Sequence, residues 1–212
     1  MPRFRILCLT ISSLAVFFLS SCGVKTVKGF NQVPADIDVY HNLYFSDFQT
    51  DYVYKAHIAI YGKDFGGIFI VKKIDDSAHR VAFTTEFGNK LFDFTITDTD
   101  FTVNYILEEL DRKIIVNTLK KDFMLLLKKQ HLVIAKYENS ENAVYKSKDK
   151  KRYNYLFTGN GNKQLHSLVN TTKTKEKVII DYIAENDILA KKIVIDHKNI
   201  KLKIDLTYIN NQ

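Results

Sequence analysis

Beyond about residue 50 the chain alternates apolar and polar positions, and a period of two predicts strands. Ile58 and Ile60 alternate with Ala59 and Tyr61, and a glycine-rich turn is expected over 62–67. A second strand is expected over 67–74, apolar on both faces through Ile68, Phe69, Ile70 and Val71. The stretch 82–94 reads as strand, tight loop and strand. Gly88 and Asn89 tolerate positive φ there, and Phe92, Phe94 and Ile96 share one face. Asp98-Thr99-Asp100 then turns the chain into a short strand near 101–103. Further strands are expected at 131–137, at 153–157 and 165–169 around Gly159-Asn160-Gly161-Asn162, and at 178–183, 189–196 and 200–209. In the last of these, Ile200, Leu202, Ile204 and Leu206 alternate with Lys201, Lys203, Asp205 and Thr207. Sequential strands joined by short turns make an antiparallel meander.

One stretch breaks the period of two. Between 107 and 128, apolar residues fall at Leu107, Leu110, Ile114, Ile115, Leu119, Phe123 and Leu126, the three-and-four spacing of an amphipathic helix. Glu108, Glu109 and Asp111 come early and Lys120, Lys121, Lys128 and Lys129 late, which suits the helix dipole. Such a helix covers the sheet and closes its core, or acts as a movable lid over a ligand cavity. A short helix is also expected within 36–48. The polar stretch 138–152 ends in Lys146-Ser147-Lys148-Asp149-Lys150-Lys151-Arg152 and reads as a solvated loop or a patch that meets phosphate headgroups.

Residues 1–21 have the organisation of a targeting segment. Arg3 and Arg5 precede an apolar run over 6–19, too short for a permanent span, and Leu19-Ser20-Ser21-Cys22 fits a bacterial lipobox. Cys22 is therefore the expected lipid-attachment site and the first residue of the mature chain. Residues 22–35 read as a flexible tether and 36–212 as one domain. Cys8 leaves with the signal, so no cysteine remains for a disulfide or a metal. Gly23 follows Cys22, and 23–28 holds no acidic run, which favours an outer-membrane anchor facing the periplasm.

The net charge is +7, less two when Arg3 and Arg5 are removed. That balance suits an anionic membrane surface or an acidic partner and does not argue for nucleic acid. None of the histidines at 41, 57, 79, 131, 166 and 197 has metal-ligand spacing, and no Gly-x-Ser-x-Gly elbow occurs. Asp75-Asp76 and Asp98-x-Asp100 are carboxylate pairs of the kind turns use for backbone hydrogen bonds. No catalytic residue, metal site or cofactor is expected, and the chain is read as a non-enzyme.

Phe87 stands at the tip of the 82–94 hairpin, where polar residues are usual. It either folds back onto the sheet or protrudes as an apolar tip that touches lipid or a greasy partner. The run Phe83-Thr84-Thr85-Glu86-Phe87-Gly88-Asn89-Lys90-Leu91-Phe92-Asp93-Phe94 resembles the corresponding hairpin of the outer-membrane lipoprotein receptors of the LolB family. Phe87 and Gly88 match that family's protruding Leu and its Gly, while Glu86 stands where the family often has Pro. The run 200–205 resembles the family's final strand.

The resemblance implies a mainly β, α+β fold: a curved antiparallel sheet forming an incomplete half-barrel with a helical lid. Its apolar concave face would bind the acyl chains of lipoproteins received from a periplasmic LolA-like carrier, for insertion into the outer membrane. Candidate lining residues are Ile58, Ile60, Ile68, Ile70, Phe83, Phe92, Phe94, Leu202 and Ile204. The resemblance implies that Phe87 and Gly88 belong to the loop that contacts membrane lipid or cargo. The protein is expected to be a monomer without nucleic-acid partners. The alternative is a non-catalytic structural or accessory lipoprotein of an outer-membrane complex; an open apolar cavity favours transfer, a filled core scaffolding.

Overall fold

The computed structural model describes residues 24–209. Its strands are β1 (Asn31–Val33), β2 (Val39–His41), β3 (Asp51–Ile60), β4 (Lys63–Lys73), β5 (Ala78–Thr84), β6 (Lys90–Thr97) and β7 (Phe101–Ile106), followed by the helix α1 (Lys113–Leu126). After it come β8 (Gln130–Glu138), β9 (Asn142–Asp149), β10 (Arg152–Gly159), β11 (Leu165–Thr171), β12 (Glu176–Ala184), β13 (Ala190–His197) and β14 (Leu202–Tyr208). The strands form one sheet in the order β1-β8-β9-β10-β11-β12-β13-β14-β3-β4-β5-β6-β7, with β2 also pairing β8. Two antiparallel meanders, β3 to β7 and β8 to β14, are thus joined along β14 and β3, with Leu202 opposite Ile60, Ile204 opposite Ile58 and Leu206 opposite Ala56. The sheet does not close: β7 and the β1/β2 pair remain its edges. This is the expected mainly β architecture of a curved, incomplete barrel with one covering helix.

The alternation has a clear structural outcome. On β3, Tyr52, Tyr54, Ala56, Ile58 and Ile60 are buried, and on β14, Leu202, Ile204 and Leu206 face the same interior. On β4, where both faces are apolar, Phe69 and Val71 point inward. Ile68 and Ile70 lie on the other face, opposite Lys55 and Val53 across the ladder, which removes them from the candidate lining residues. An apolar run does not identify its inner face, whereas register does. The turn before β4 is tighter than the glycines suggested. Tyr61 (φ 49°) and Gly62 (φ 83°) make a two-residue hairpin loop, so Gly66 and Gly67 belong to the strand. Gly67 is required by a close approach, since a Cβ there would lie 1.9 Å from the Thr84 carbonyl oxygen.

Other expectations change. The stretch 36–48 holds no helix. It forms β2 and a loop in which Phe45 takes φ 62°, donates its N–H to the Ile188 carbonyl at 3.0 Å and accepts at its own carbonyl from His79 Nε2 at 2.9 Å. Its aromatics fill the end of the barrel, with Tyr44 stacked on Tyr182 at 4.9 Å. The polar stretch 138–152 contains β9, on which Ser147 is buried between Lys146 and exposed Lys148. Only Lys150 and Lys151 are left for the turn. The segment 24–35, expected as a tether, is docked: Phe30 packs edge-on against Phe157 at 5.9 Å, and β1 pairs with β8. Cys22 and the targeting segment lie outside the described residues.

His131 on β8 is fully buried opposite Tyr40, and burial pushes its pKa down to about 4. Burial likewise lowers that of His79. A base whose folded pKa is depressed takes up its proton on unfolding first, so stability is lost as pH falls from the unfolded value of 6.5 through 4. The His131 contribution to that loss is on the order of 3 kcal/mol when complete. Urea titrations at stepped pH should show the decline, and His131→Gln should remove much of it; an unchanged slope in the variant would place its origin elsewhere.

Candidate functional site

The concave face of the sheet is covered by α1, whose inward residues are Ile115, Leu119, Asp122, Phe123 and Leu126. Five positions at helical spacing make one apolar stripe interrupted by one carboxylate. Phe123 is the central knob. Its ring lies 5.4 Å from that of Phe69, 5.7 Å from Phe92 and 6.3 Å from Phe94. Phe83 packs on Phe92 at 5.3 Å. The candidate residues Ile58, Phe83, Phe92, Phe94, Leu202 and Ile204 are therefore all interior, but α1 and its neighbours fill the space they line.

The helix is shorter than its periodicity predicted. The segment 107–112 is a turn outside the helix, with Leu110 N–H donating to the Leu107 carbonyl at 2.8 Å. Glu108, Glu109 and Asp111 consequently fall before the first helical turn, which carries no acidic residue. Arg112 occupies the N-cap without a side-chain capping bond. Ile114, assigned to the inner stripe by spacing, is 56% exposed. Starting the helix six residues later than expected explains why the predicted dipole complement is absent.

One polar contact pins the helix to the sheet. Asp122 Oδ2 lies 2.8 Å from His197 Nε2 at the end of β13, and both side chains are almost completely buried. Burial raises the Asp122 pKa, and the hydrogen bond from His197 opposes it. Neither residue stood out in the sequence. The available signal was an acid at 122, inside the apolar stripe between Leu119 and Phe123.

Beside the N-terminal end of α1 a cavity of about 340 Å³ opens to solvent. Ile60, Phe65, Leu110 and Ile115 supply its apolar wall, and Lys63, Glu109 and Arg112 its mouth. Lys63 Nζ donates to Glu109 Oε2 at 2.8 Å, joining the β3–β4 hairpin to the segment before the helix. Of the candidate lining residues, Ile60 reaches this cavity. A second depression, of about 380 Å³, lies between the stretch 37–44 and residues 162–165, with Asp187. The volumes are at the small end of the range for ligand pockets. Among the described residues no three His, Cys, Asp or Glu side chains are grouped to hold a metal ion.

Phe87 is 94% exposed at the tip of the β5–β6 loop. The loop is closed by Thr85 N–H donating to the Asn89 carbonyl at 2.8 Å and Gly88 N–H to the Thr85 carbonyl at 3.0 Å, with Gly88 at φ 85°. Glu86 beside it pairs with Lys55 at 3.4 Å. Within β6, Asp93 is buried yet ionised, because Arg80, Lys90 and Asn104 all donate to it and Arg80 above all holds its carboxyl well below the usual range.

No protein-family model and no curated protein matches the sequence. Among solved structures, the chain is similar to a LolA superfamily protein, NE2245 from Nitrosomonas europaea. That similarity has a TM-score of 0.51 at 10% identity and covers 78% of this chain and 87% of the other. A DUF1329 family protein from Desulfovibrio piger gives a TM-score of 0.42 at 7% identity over 76% of this chain and 84% of its own, too loose a likeness to carry an argument. The first likeness establishes a shared fold: the curved, unclosed antiparallel sheet with a helix over its concave face.

If Asp122 and His197 fasten α1, Asp122→Ala leaves a buried imidazole unpaired and costs about 1–3 kcal/mol. Hydrogen exchange should then quicken across α1 before it does in β13 and β14, while Asp122→Asn, which can still accept a hydrogen bond, should lose less. Uniform acceleration in helix and sheet would show that the pair supports the whole fold rather than the helix alone.

Proposed function

We propose that this chain is a lipid-anchored, non-catalytic carrier that binds acyl chains beneath α1. In this reading it helps receive lipoproteins from a periplasmic LolA-like carrier and insert them into the outer membrane from its periplasmic face. The observation that carries the reading is the way α1 is held. It adds no backbone pairing to the sheet, meets it through an apolar stripe and one buried polar pair, and has the cavity at its N-terminal end. Hydrophobic attraction is non-directional, so an acyl chain can take over the contacts that α1 makes with the same surface. At about 0.8 kcal/mol per buried CH₂, such a site can hold a chain and still release it to a bilayer. The fold likeness to a LolA superfamily protein supports the reading, as does the lipobox at Cys22 for anchorage.

A second reading is favoured by the filled concave face. With Phe123 seated among Phe69, Phe92 and Phe94, a chain whose helix never moves would be an accessory lipoprotein acting through its outer surface. The two differ in one measurement. Residues 24–212 should bind an environment-sensitive apolar fluorophore with one-to-one stoichiometry, and an acylated peptide should displace it. A folded domain that takes up neither is the accessory lipoprotein.

The membrane end of the proposal rests on Cys22 and Phe87. Cys22→Ser should shift the protein out of the membrane fraction, and unchanged fractionation would remove the anchor. Phe87→Glu should leave the thermal midpoint nearly unaltered, since substitutions of an exposed tip usually stay within about 0.5 kcal/mol. It should nevertheless weaken liposome contact and cargo delivery, because a charge replaces apolar surface, whereas Phe87→Leu should retain both. Wild-type delivery by a folded Phe87→Glu protein would exclude a role for the tip.

A further inference from the structure

In a meander every second turn lies at the same end of the sheet. The β13–β14 turn is beside the β3–β4 turn, where Tyr61 N–H donates to the Lys201 carbonyl at 2.9 Å. Five strand-to-strand turns, at 61–62, 85–89, 150–151, 172–175 and 198–201, therefore share one rim with the cavity mouth and Phe87. The other five, at 74–77, 98–100, 139–141, 160–164 and 185–189, share the opposite rim.

The two rims carry opposite charge. In the strand-to-strand turns of the first, Lys150, Lys151, Lys173, Lys175, Lys198 and Lys201 stand against Glu86, which is already paired with Lys55; the segment between β7 and α1 at the same rim adds Glu108, Glu109 and Asp111 beside Arg112, with Glu109 paired to Lys63. In the turns of the second, seven carboxylates stand against Lys163, with Lys73 and Lys129 reaching Asp76 from neighbouring elements. The six lysines are exposed, and among the described residues only Lys198 is in an ion pair, with Asp196. They sit two by two on three successive hairpins, β9–β10, β11–β12 and β13–β14. At strand spacing these hairpins recur about every 10 Å along the rim. The N-terminal segment approaches the same rim: Thr26 Oγ1 donates to Glu176 Oε1 at 2.7 Å, at the first residue of β12, just past the 172–175 turn.

We propose that the lysine-bearing rim docks on a bilayer surface rich in anionic headgroups, turning the cavity mouth and Phe87 toward the lipid and the acidic rim away from it. The orientation deepens the lipid-anchored reading given above and rests on it for the presence of a membrane. The occupant follows from the combination of charges and tip. A row of solvated lysines attracts a negatively charged plane over a Debye length, and Phe87, on the same rim two hairpins beyond that row, is accommodated where headgroups meet acyl chains. The acidic rim adds repulsion against the reversed orientation.

The test uses the full lipidated chain reconstituted in phosphatidylcholine vesicles with and without phosphatidylglycerol. Amine acetylation is followed lysine by lysine by mass spectrometry. Anionic lipid should slow the modification of Lys150, Lys151, Lys173, Lys175 and Lys201 by about fivefold or more and leave Lys72 and Lys163 unaffected. Molar salt, which shortens the Debye length to about 3 Å, should abolish the difference. Equal rates in both vesicles, or equal protection of Lys163, overturn the proposal. So does matching protection by inorganic phosphate, which would indicate an anion site, or by an oligonucleotide on neutral vesicles, which would indicate a nucleic-acid surface. A variant with Lys150→Glu, Lys173→Glu and Lys201→Glu should lose the protection of the remaining lysines, and the wild-type footprint decides the matter if that variant does not fold. Protection without fluorophore binding by residues 24–212 would leave docking in place and remove the acyl-carrier reading; fluorophore binding without protection would do the reverse.

Discussion

A sheet that curls without closing has one apolar face that its own strands cannot cover, and the rest of this molecule depends on how that face is buried. Here the cover is a single helix. Its stripe of Ile115, Leu119, Phe123 and Leu126 meets an inner layer dominated by Phe69, Phe83, Phe92 and Phe94. The contact is large in area and poor in direction, because rings and aliphatic chains pack in many arrangements while hydrogen bonds do not. The cover can therefore be strongly stabilising and still be replaceable by another apolar body. The buried Asp122–His197 pair is the exception. A polar pair inside an apolar interface favours one seating of the helix, since any shift leaves both groups without a partner.

The sheet beneath the cover is held by different means. The β14–β3 ladder joins the two meanders, and its inner residues Leu202, Ile204 and Leu206 meet Ile60, Ile58 and Ala56 in register. Gly67 lets β4 approach the Thr84 carbonyl where β5 ends and the Phe87 loop begins. Asp93, with Arg80, Lys90 and Asn104 around it, then ties β5, β6 and β7 together on the outward side. Backbone ladders and these fixed polar contacts make the strands a rigid frame, whereas α1 is linked to that frame by side chains. A division between a rigid frame and a separable cover suits a protein whose proposed cargo must enter and leave.

Much of the frame was legible in the sequence because period two is strong when one face is wet. The strands at β3, β6 and β14 follow from Ile58 and Ile60, from Phe92 and Phe94, and from Ile200 to Thr207. What failed did so for local reasons. The pattern of β4 leaves Ile68 and Ile70 as candidates for the inner face because the strand is apolar on both faces, and only the register with β3 shows that Phe69 and Val71 are the inner pair. Spacing alone extends the helix back to Leu107 because Leu107 and Leu110 continue its period, yet Leu110 is buried and Leu107 partly buried as parts of a turn. The stretch 36–48 carries aromatics at irregular intervals because Tyr40, Tyr44 and Phe45 fill separate gaps in the core while Phe48 stays exposed. The site was less legible than the frame. Ile60 and Phe87 could be named, but the cavity mouth depends on Lys63, Glu109 and Arg112 meeting across non-adjacent segments.

The charge division between the rims could, by contrast, have been read from the order of turns. Once a chain is recognised as a meander, its turns alternate between two ends, and their charges can be sorted without coordinates. From Asn139 onward the successive turns hold Glu141, then Lys150 and Lys151, then Lys163, then Lys173 and Lys175, then Glu185 and Asp187, then Lys198 and Lys201. Taking every second one gathers all six of the rim lysines at one end and leaves Glu141, Lys163, Glu185 and Asp187 at the other. The first meander contributes Asp75, Asp76, Asp98 and Asp100 to that second end and Glu86 and Phe87 to the first, where the segment after β7 adds Glu108, Glu109 and Asp111. The basic run 146–152 does not show this by itself, because Lys146 and Lys148 belong to a strand and only Lys150 and Lys151 to the rim. The functional unit is a set of short turns far apart in sequence, and topology is what brings them together.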